Sequence, residues 1–202
     1  AFRTCVGLRT VTILEGVTSI GDSAFYECSN LASATIPESV ISIGDSAFSR
    51  CSSLISVTIL SSVTSIGDSA FSGCISLESV TIPSSAKSIS NYAFYGCSSL
   101  KSVTIPSSVT SIGDSAFYGC SSLVTVTIPE SVKRIYYGAF SGCNSLKDVY
   151  YSGTEEEWKQ ITINSGNDPL TSANIHCKSS FIGGTCGGKG DGSNLTWTLE
   201  SE

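Results

Sequence analysis

Apolar residues recur along this chain in three interlocked series, each stepping by 23 residues. Phenylalanine falls at Phe2, Phe25, Phe48, Phe71, Phe94, Phe117 and Phe140, and a cysteine follows each of them, from Cys5 to Cys143. Leucine keeps the same phase from Leu8 through Leu146. The unit reads L-x-x-V-T-I-P-x-S-V-x-S-I-G-D-S-A-F-x-x-C-S-S. A fixed short period marks a stacked array, in which each unit buries its apolar face against its neighbours. Propeller blades and helix-turn-helix repeats need about 34 to 45 residues per unit, so the shorter period predicts one compact coil per repeat.

Within the unit, Leu100, Val103 and Ile105 fall on one side of a short strand, with Ser102 and Thr104 on the other. Pro106 ends that strand because it brings no ladder donor, and Pro37, Pro83 and Pro129 hold the same place. Val109 and Ile112 form a second inward pair, followed by Gly113-Asp114-Ser115-Ala116-Phe117. There the Asp is expected to cap a short helical or 3₁₀ turn whose Ala and Phe point inward.

The segment Ala116-Phe117-Tyr118-Gly119-Cys120-Ser121-Ser122-Leu123, continued by Val126-Thr127-Ile128-Pro129, resembles the BspA-type leucine-rich repeat. The resemblance spans residues 1–151 in seven phases. It implies a right-handed leucine-rich repeat solenoid with a parallel β-sheet on one face and short strands or 3₁₀ turns on the other. It also implies a secreted or surface-attached protein whose usual proposed role is adhesion. The family brings no shared catalytic residue.

Comparison among the copies separates core from surface. Positions apolar in every copy are stacked inside, and positions that vary freely face solvent. The residue after the leucine reads Arg9, Ala32, Ile55, Glu78, Lys101, Val124 and Lys147. This row, Ile55 to Lys147 above all, is the expected binding surface for a protein or glycan partner. In the last copy Lys133, Arg134, Tyr136 and Tyr137 replace small polar residues and form a second candidate patch, or else cover the final coil.

Beyond the array, Thr154-Glu155-Glu156-Glu157 has the spacing of a capping box and predicts a short helix. Trp158 and Ile161 are expected to close the open end of the core, so residues 152–177 read as a C-terminal cap. Residues 178–193 read as a Gly/Ser-rich linker, and 194–202 as the start of a truncated β module. Ala1-Phe2 begins in mid-unit, which predicts a longer parent chain.

Composition narrows the function. The chain has 11 Lys+Arg against 17 Asp+Glu among 202 residues, a formal net charge of -6. A phosphate-binding surface for nucleic acid is therefore not expected. No apolar stretch approaches the roughly 20 residues of a membrane-spanning helix. A monomer acting outside the cell is the expected form.

Several motifs invite chemistry and yield to simpler readings. Gly-Asp-Ser occurs at Gly21, Gly44, Gly67 and Gly113 and resembles the nucleophile motif of GDS-type esterases, but the sole histidine, His176, cannot serve four sites. Gly183 to Lys189 has the outline of a phosphate loop, yet Gly190 stands where Ser or Thr would be needed and no helix follows. The repeated cysteines lack zinc spacing, and a ladder of disulfides at strand spacing would be strained, so buried thiols are expected. Cys177 and Cys186 are the candidate disulfide. One Asp per coil is too few oxygens for calcium. Asn194-Leu195-Thr196 fits the glycosylation pattern. No cofactor or metal is expected, and no catalysis. Two further readings stay open: a spacer displaying a downstream module, and ice or lattice binding through the Ser/Thr rows at Ser79/Thr81, Ser102/Thr104 and Thr125/Thr127.

Overall fold

The computed structural model describes residues 1–178. The expected linker beyond Lys178, the truncated β module and Cys186 lie outside the described residues.

Each repeat makes one coil with two short strands. The first three coils carry β1 (Thr10–Thr12) and β2 (Ser19–Ile20), β3 (Ser33–Thr35) and β4 (Ser42–Ile43), and β5 (Ser56–Thr58) and β6 (Ser65–Ile66). The next three carry β7 (Ser79–Thr81) and β8 (Ser88–Ile89), β9 (Ser102–Thr104) and β10 (Ser111–Ile112), and β11 (Thr125–Ile128) and β12 (Arg134–Ile135). The described residues end with β13 (Asp148–Tyr151), α1 (Glu155–Trp158), β14 (Thr162–Ile163), α2 (Asp168–Thr171) and β15 (Asn174–His176). Odd-numbered strands up to β13 stack in parallel on one face, joined at the end by β15, and even-numbered ones stack on a second face. Registers are coil on coil, as in Val126↔Val149 and Ile112↔Ile135. This is a leucine-rich repeat solenoid.

The third face is built from turns. Ala24, Tyr26 and Cys28 donate their N–H groups three residues back within their own coil, while Ser23, Phe25 and Glu27 donate to Asp45, Ala47 and Ser49 of the next. Alternate donors thus serve the turn and the ladder, so the irregular face is as fully hydrogen-bonded as the sheets. The bend places the residue two after each phenylalanine in the left-handed region, and Gly73, Gly96, Gly119 and Gly142 meet it with φ between +69° and +73°.

Inside, the expected columns are buried: Leu100, Val109, Ile112, Ala116 and Phe117 have no exposed surface, and Val103 and Ile105 almost none. Phenylalanine rings of successive coils stack from Phe2 to Phe140, with centroids 5.1–5.7 Å apart. The cysteines are buried thiols from Cys28 to Cys143. Each Sγ donates to the phenylalanine carbonyl of the preceding coil, as Cys51 to Phe25 and Cys143 to Phe117, both at 3.1 Å. Burial pushes the thiols of Cys51 and Cys143 up to about 12.

Two expectations are corrected. The Asp of each Gly-Asp-Ser does not cap its own turn. Its Oδ1 accepts the N–H of the equivalent residue one coil on, as Asp22 from Asp45 at 2.9 Å and Asp45 from Asp68 at 2.8 Å. Asn91 carries this ladder through the copy that lacks Asp, accepting from Asp114. The reason is geometric: stacked turns bring the next coil's N–H, rather than their own, to the carboxylate.

The second correction concerns the end. Residues 152–177, expected as a cap, themselves continue the coil, because β14 pairs with β12 and β15 with β13. The final coil is longer: Arg134 aligns with Thr162 and Asp148 with Asn174, 28 and 26 residues on. The capping box at Thr154 is present, with Glu157 N–H bonded to Thr154 Oγ1 and Thr154 N–H to Glu157 Oε2. Trp158, partly buried, packs on the core and lies edge-on to Tyr151 at 5.3 Å, Ile161 is buried beside it, and Leu170 joins them in closing the core. Asn167 completes the closure. Its Oδ1 accepts from Phe140 N–H at 2.9 Å, in place of the alanine carbonyl that every earlier phenylalanine N–H meets.

One seam interrupts the pairing in both sheets, while the turn-face ladder and the phenylalanine stack run through it. β6 does not pair with β8, nor β7 with β9. The coil between them carries Ala86 in the valine column and Ser90 in the glycine column. Elsewhere the residue in the glycine column gives its N–H to the isoleucine carbonyl one coil back, as Gly67 to Ile43. At the seam the Ser90 hydroxyl bonds to Ile66 instead.

Candidate binding surface

The freely varying row lies where the chain enters the first sheet. Ile55 is 52% and Val124 38% exposed. Glu78, Lys101 and Lys147 are exposed too, and Lys101 Nζ sits 2.6 Å from Glu78 Oε2. Backbone bonds tie the row together, Glu78 N–H to Ile55 O and Val124 N–H to Lys101 O, each at 2.9 Å. These side chains are held at coil spacing and packing asks nothing of them. The exposed ion pair contributes little to stability and is free to exchange for contacts with a ligand.

The second patch divides. Lys133 Nζ bonds to its neighbour Glu130 O at 2.9 Å, and the Arg134 guanidinium lies 5.6 Å from the Tyr136 ring centre. Tyr137, 61% exposed, belongs to the turn face. Lys133 and Arg134 stand on the second sheet, a different face from the Ile55–Lys147 row, so the two sets do not form one site.

Along the first sheet the outward positions are Ser or Thr from β1 to β11, then Asp148 and Tyr150, then Asn174 and His176. The hydroxyl rows are broken by the seam, where Ser79, Thr81, Ser102 and Thr104 line a shallow groove of about 290 Å³. At the far end His176 Nε2 lies 2.8 Å from Asp148 Oδ1 and its ring stacks on Tyr150 at 4.8 Å. That hydrogen bond holds the Asp148 carboxyl below its usual range. The one histidine is thus engaged at the sheet edge, away from every Gly-Asp-Ser turn. Among the described residues no group of His, Cys, Asp and Glu has metal-ligand geometry. No helix of the described residues is long and apolar enough to cross a membrane.

Sequence reasoning missed the exposed tyrosines of the turn face. Tyr92 and Tyr95 meet at 6.0 Å, and Tyr95 stacks on Tyr118 at 4.8 Å with ring planes 4° apart. The comparison among copies contained the signal, since the residue after phenylalanine is Arg at 3 and Ser at 49, 72 and 141 but Tyr at 26, 95 and 118.

Parallel coils, a buried Phe–Leu–Cys interior and solvent-facing rows of variable side chains define the class: a bacterial-type leucine-rich repeat solenoid. The chain belongs to the family described as the BspA type leucine rich repeat region (6 copies), whose model matches residues 1–86 and 64–186. It is similar to the crystal structure of a leucine rich cell surface protein from Faecalibacterium prausnitzii A2-165, at 29% identity over 82% of this chain and 65% of that one, with a TM-score of 0.55. It is similar also to the T. pallidum leucine rich repeat protein, at 33% identity over 70% of this chain and 69% of that one, with a TM-score of 0.67. The chain therefore spans just under two thirds of the Faecalibacterium protein. No curated protein sequence matches it.

Proposed function

We propose that this chain is a non-enzymatic, extracellular binding module that adheres to a protein or glycan ligand through exposed repeat positions. The observation that carries the reading is the contrast between columns. Every inward column repeats with little change, whereas the exposed row runs Ile55, Glu78, Lys101, Val124, Lys147. A surface of uniform small hydroxyls discriminates poorly, and a row that changes charge and size from coil to coil discriminates well. Family membership and similarity to a cell surface protein of Faecalibacterium support a location at or beyond the cell surface.

The test is adhesion of the labelled chain to mucin-coated plates and to mucosal epithelial monolayers. Replacing Ile55, Glu78, Lys101, Val124 and Lys147 together by Ser should leave the fold intact and abolish saturable adhesion. Adhesion that survives would remove the row from the binding surface. A second reading, a spacer that holds a further module away from the cell, is favoured by the uniform Ser and Thr of the first sheet. It predicts no saturable binding by the repeats alone. The interruption of the hydroxyl rows at the seam counts against lattice or ice binding, which needs a continuous array.

A further inference from the structure

The turn face changes character halfway along the solenoid. Residues 21–29, 44–52 and 67–75 carry Asp22, Glu27, Asp45, Arg50 and Asp68. The next three turns, residues 90–98, 113–121 and 136–144, carry a single charge, Asp114, and five tyrosines. Four of these are substantially exposed: Tyr92 44%, Tyr95 38%, Tyr118 40% and Tyr137 61%.

Packing does not ask for them. Ser fills the Tyr95 and Tyr118 column at 49, 72 and 141 without disturbing the coil. Tyr92 occupies a left-handed position, φ +55°, that Ser holds at 23, 46, 69 and 115. A bulky aromatic there is strained and gains little burial in return, which is the pattern of a residue retained for contact with something else. Tyr26, in the same column as Tyr95, shows the alternative: its ring is covered by Arg3 at 4.7 Å and Arg50 at 5.8 Å. Among the described residues no cation lies over Tyr92, Tyr95 or Tyr118. Tyr95 and Tyr118 cover one face of each other, and Tyr92 leans on Tyr95. The outer face of Tyr118 looks toward the next coil, which offers only Ser141 and Gly142 in the matching positions.

We propose that Tyr92, Tyr95 and Tyr118 form a platform for a neutral glycan, with a pyranose ring stacked on the Ser141 side of Tyr118. This rests on the reading of the chain as a binding module and adds to it a second site, on the turn face and apart from the Ile55–Lys147 row. Aromatic faces match the C–H face of a sugar, and the tyrosine hydroxyls, Asp114 and Ser141 supply a hydrogen-bonding rim. The absence of Lys and Arg from residues 90–98, 113–121 and 136–144 disfavours nucleic acids and acidic glycans, which need cations. An added peptide strand finds no free ladder there, because Ser115, Phe117 and Gly119 already give their N–H groups to Tyr137, Ala139 and Ser141.

The experiment is isothermal titration of the full chain with four neutral hexasaccharides: cellohexaose, laminarihexaose, chitohexaose and β-1,4-galactohexaose. At least one should bind saturably, with an affinity almost unchanged between about 0.05 and 0.5 M salt. Tyr118→Ser restores the residue found in three other copies, and Ser141→Tyr covers the open face by extending the stack. Each should weaken binding about tenfold or more while thermal unfolding stays close to that of the parent. Tyr26→Ser should leave binding unchanged. Binding by none of the four, steep salt dependence, or affinity indifferent to both variants would each overturn the inference. If the chain adheres to epithelial cells but binds none of these sugars, the platform is refuted and the broader reading stands; if it does neither, both fall.

Discussion

Asn167 closes the solenoid by supplying, from a side chain, what another coil would supply from its backbone. Five phenylalanine N–H groups, from Phe25 to Phe117, donate to the alanine carbonyl of the following coil. Phe140 has no such coil and donates to Asn167 Oδ1, while Asn167 Nδ2 donates to Tyr136 O at 2.9 Å and Asn164 O at 2.8 Å. The residue is 2% exposed, so water cannot substitute. Asn167→Ala leaves the Phe140 N–H and the Asn164 carbonyl without protein partners. Tyr136 O keeps its contact with Ala139 N–H. Asn164 is exposed, so water can take up its carbonyl, and the buried Phe140 N–H is the orphan, which sets the loss at about 1 to 3 kcal/mol. Asn167→Asp keeps the acceptor but loses both donors, and should also be destabilising because it buries a carboxylate. Urea denaturation gives the magnitude, and native-state hydrogen exchange gives the place. Protection should fail first around Phe140 and in β13–β15, since stability in a stacked array is passed from neighbour to neighbour. A loss below about 1 kcal/mol for Asn167→Ala, or protection failing first at the opposite end, would refute this account of the closure.

Three further outcomes follow from the same packing. Trp158→Ala should cost about 2 to 4 kcal/mol, somewhat less than the roughly 3 to 5 kcal/mol for a fully buried Trp, because the residue packs on the core and on Tyr151 while keeping part of its surface exposed; urea denaturation checks it. Gly67→Ala should destabilise by about 1 to 3 kcal/mol or more, since a Cβ there would lie 2.5 Å from Asp45 N and 2.6 Å from Gly44 C; the melting temperature of the variant reads the loss. The buried thiols make the fold sensitive to alkali. Their pKa is raised from about 8.5 in the unfolded chain to about 12 at Cys51 and Cys143, so the unfolded state releases its protons first. Their contribution is intact below about pH 8.5 and is lost as pH rises toward 12, by about 1.4 kcal/mol per pH unit for each thiol. Circular dichroism against pH should show cooperative alkaline unfolding in that window, moved upward by Cys51→Ala in combination with Cys143→Ala relative to the neutral-pH stability of the same variant.

The interior was legible because each column is written seven times, so Phe117, Cys120 and Leu123 declared themselves by repetition. What escaped notice occurs once. The last coil was hidden because its spacing is 26 to 28 residues and it shares no motif with the others. Asn167 looks in sequence like any polar loop residue, and only the missing coil beside Phe140 gives it a task. Asn91 breaks the Gly-Asp-Ser motif in sequence, yet its amide oxygen serves the ladder as a carboxylate would. The seam falls at Ala86 and Ser90, two small departures that in sequence look harmless to the coil. The exposed row was readable from its variability, whereas the tyrosine platform required the turn face to be folded before Tyr92, Tyr95 and Tyr118 met.

The central claim, that the outside of this solenoid is a binding surface used at specific rows, is tested most directly by a lysine-acetylation footprint of the chain held on mucin-coated plates. Lys101 and Lys147 lie in the exposed row, while Lys87 enters the second sheet and Lys159 follows α1. The account predicts that acetylation of Lys101 and Lys147 falls at least about fivefold on the coated surface while Lys87 and Lys159 react as they do in free solution. Equal reactivity at all four lysines of the held chain, or protection confined to Lys87 and Lys159, would contradict it.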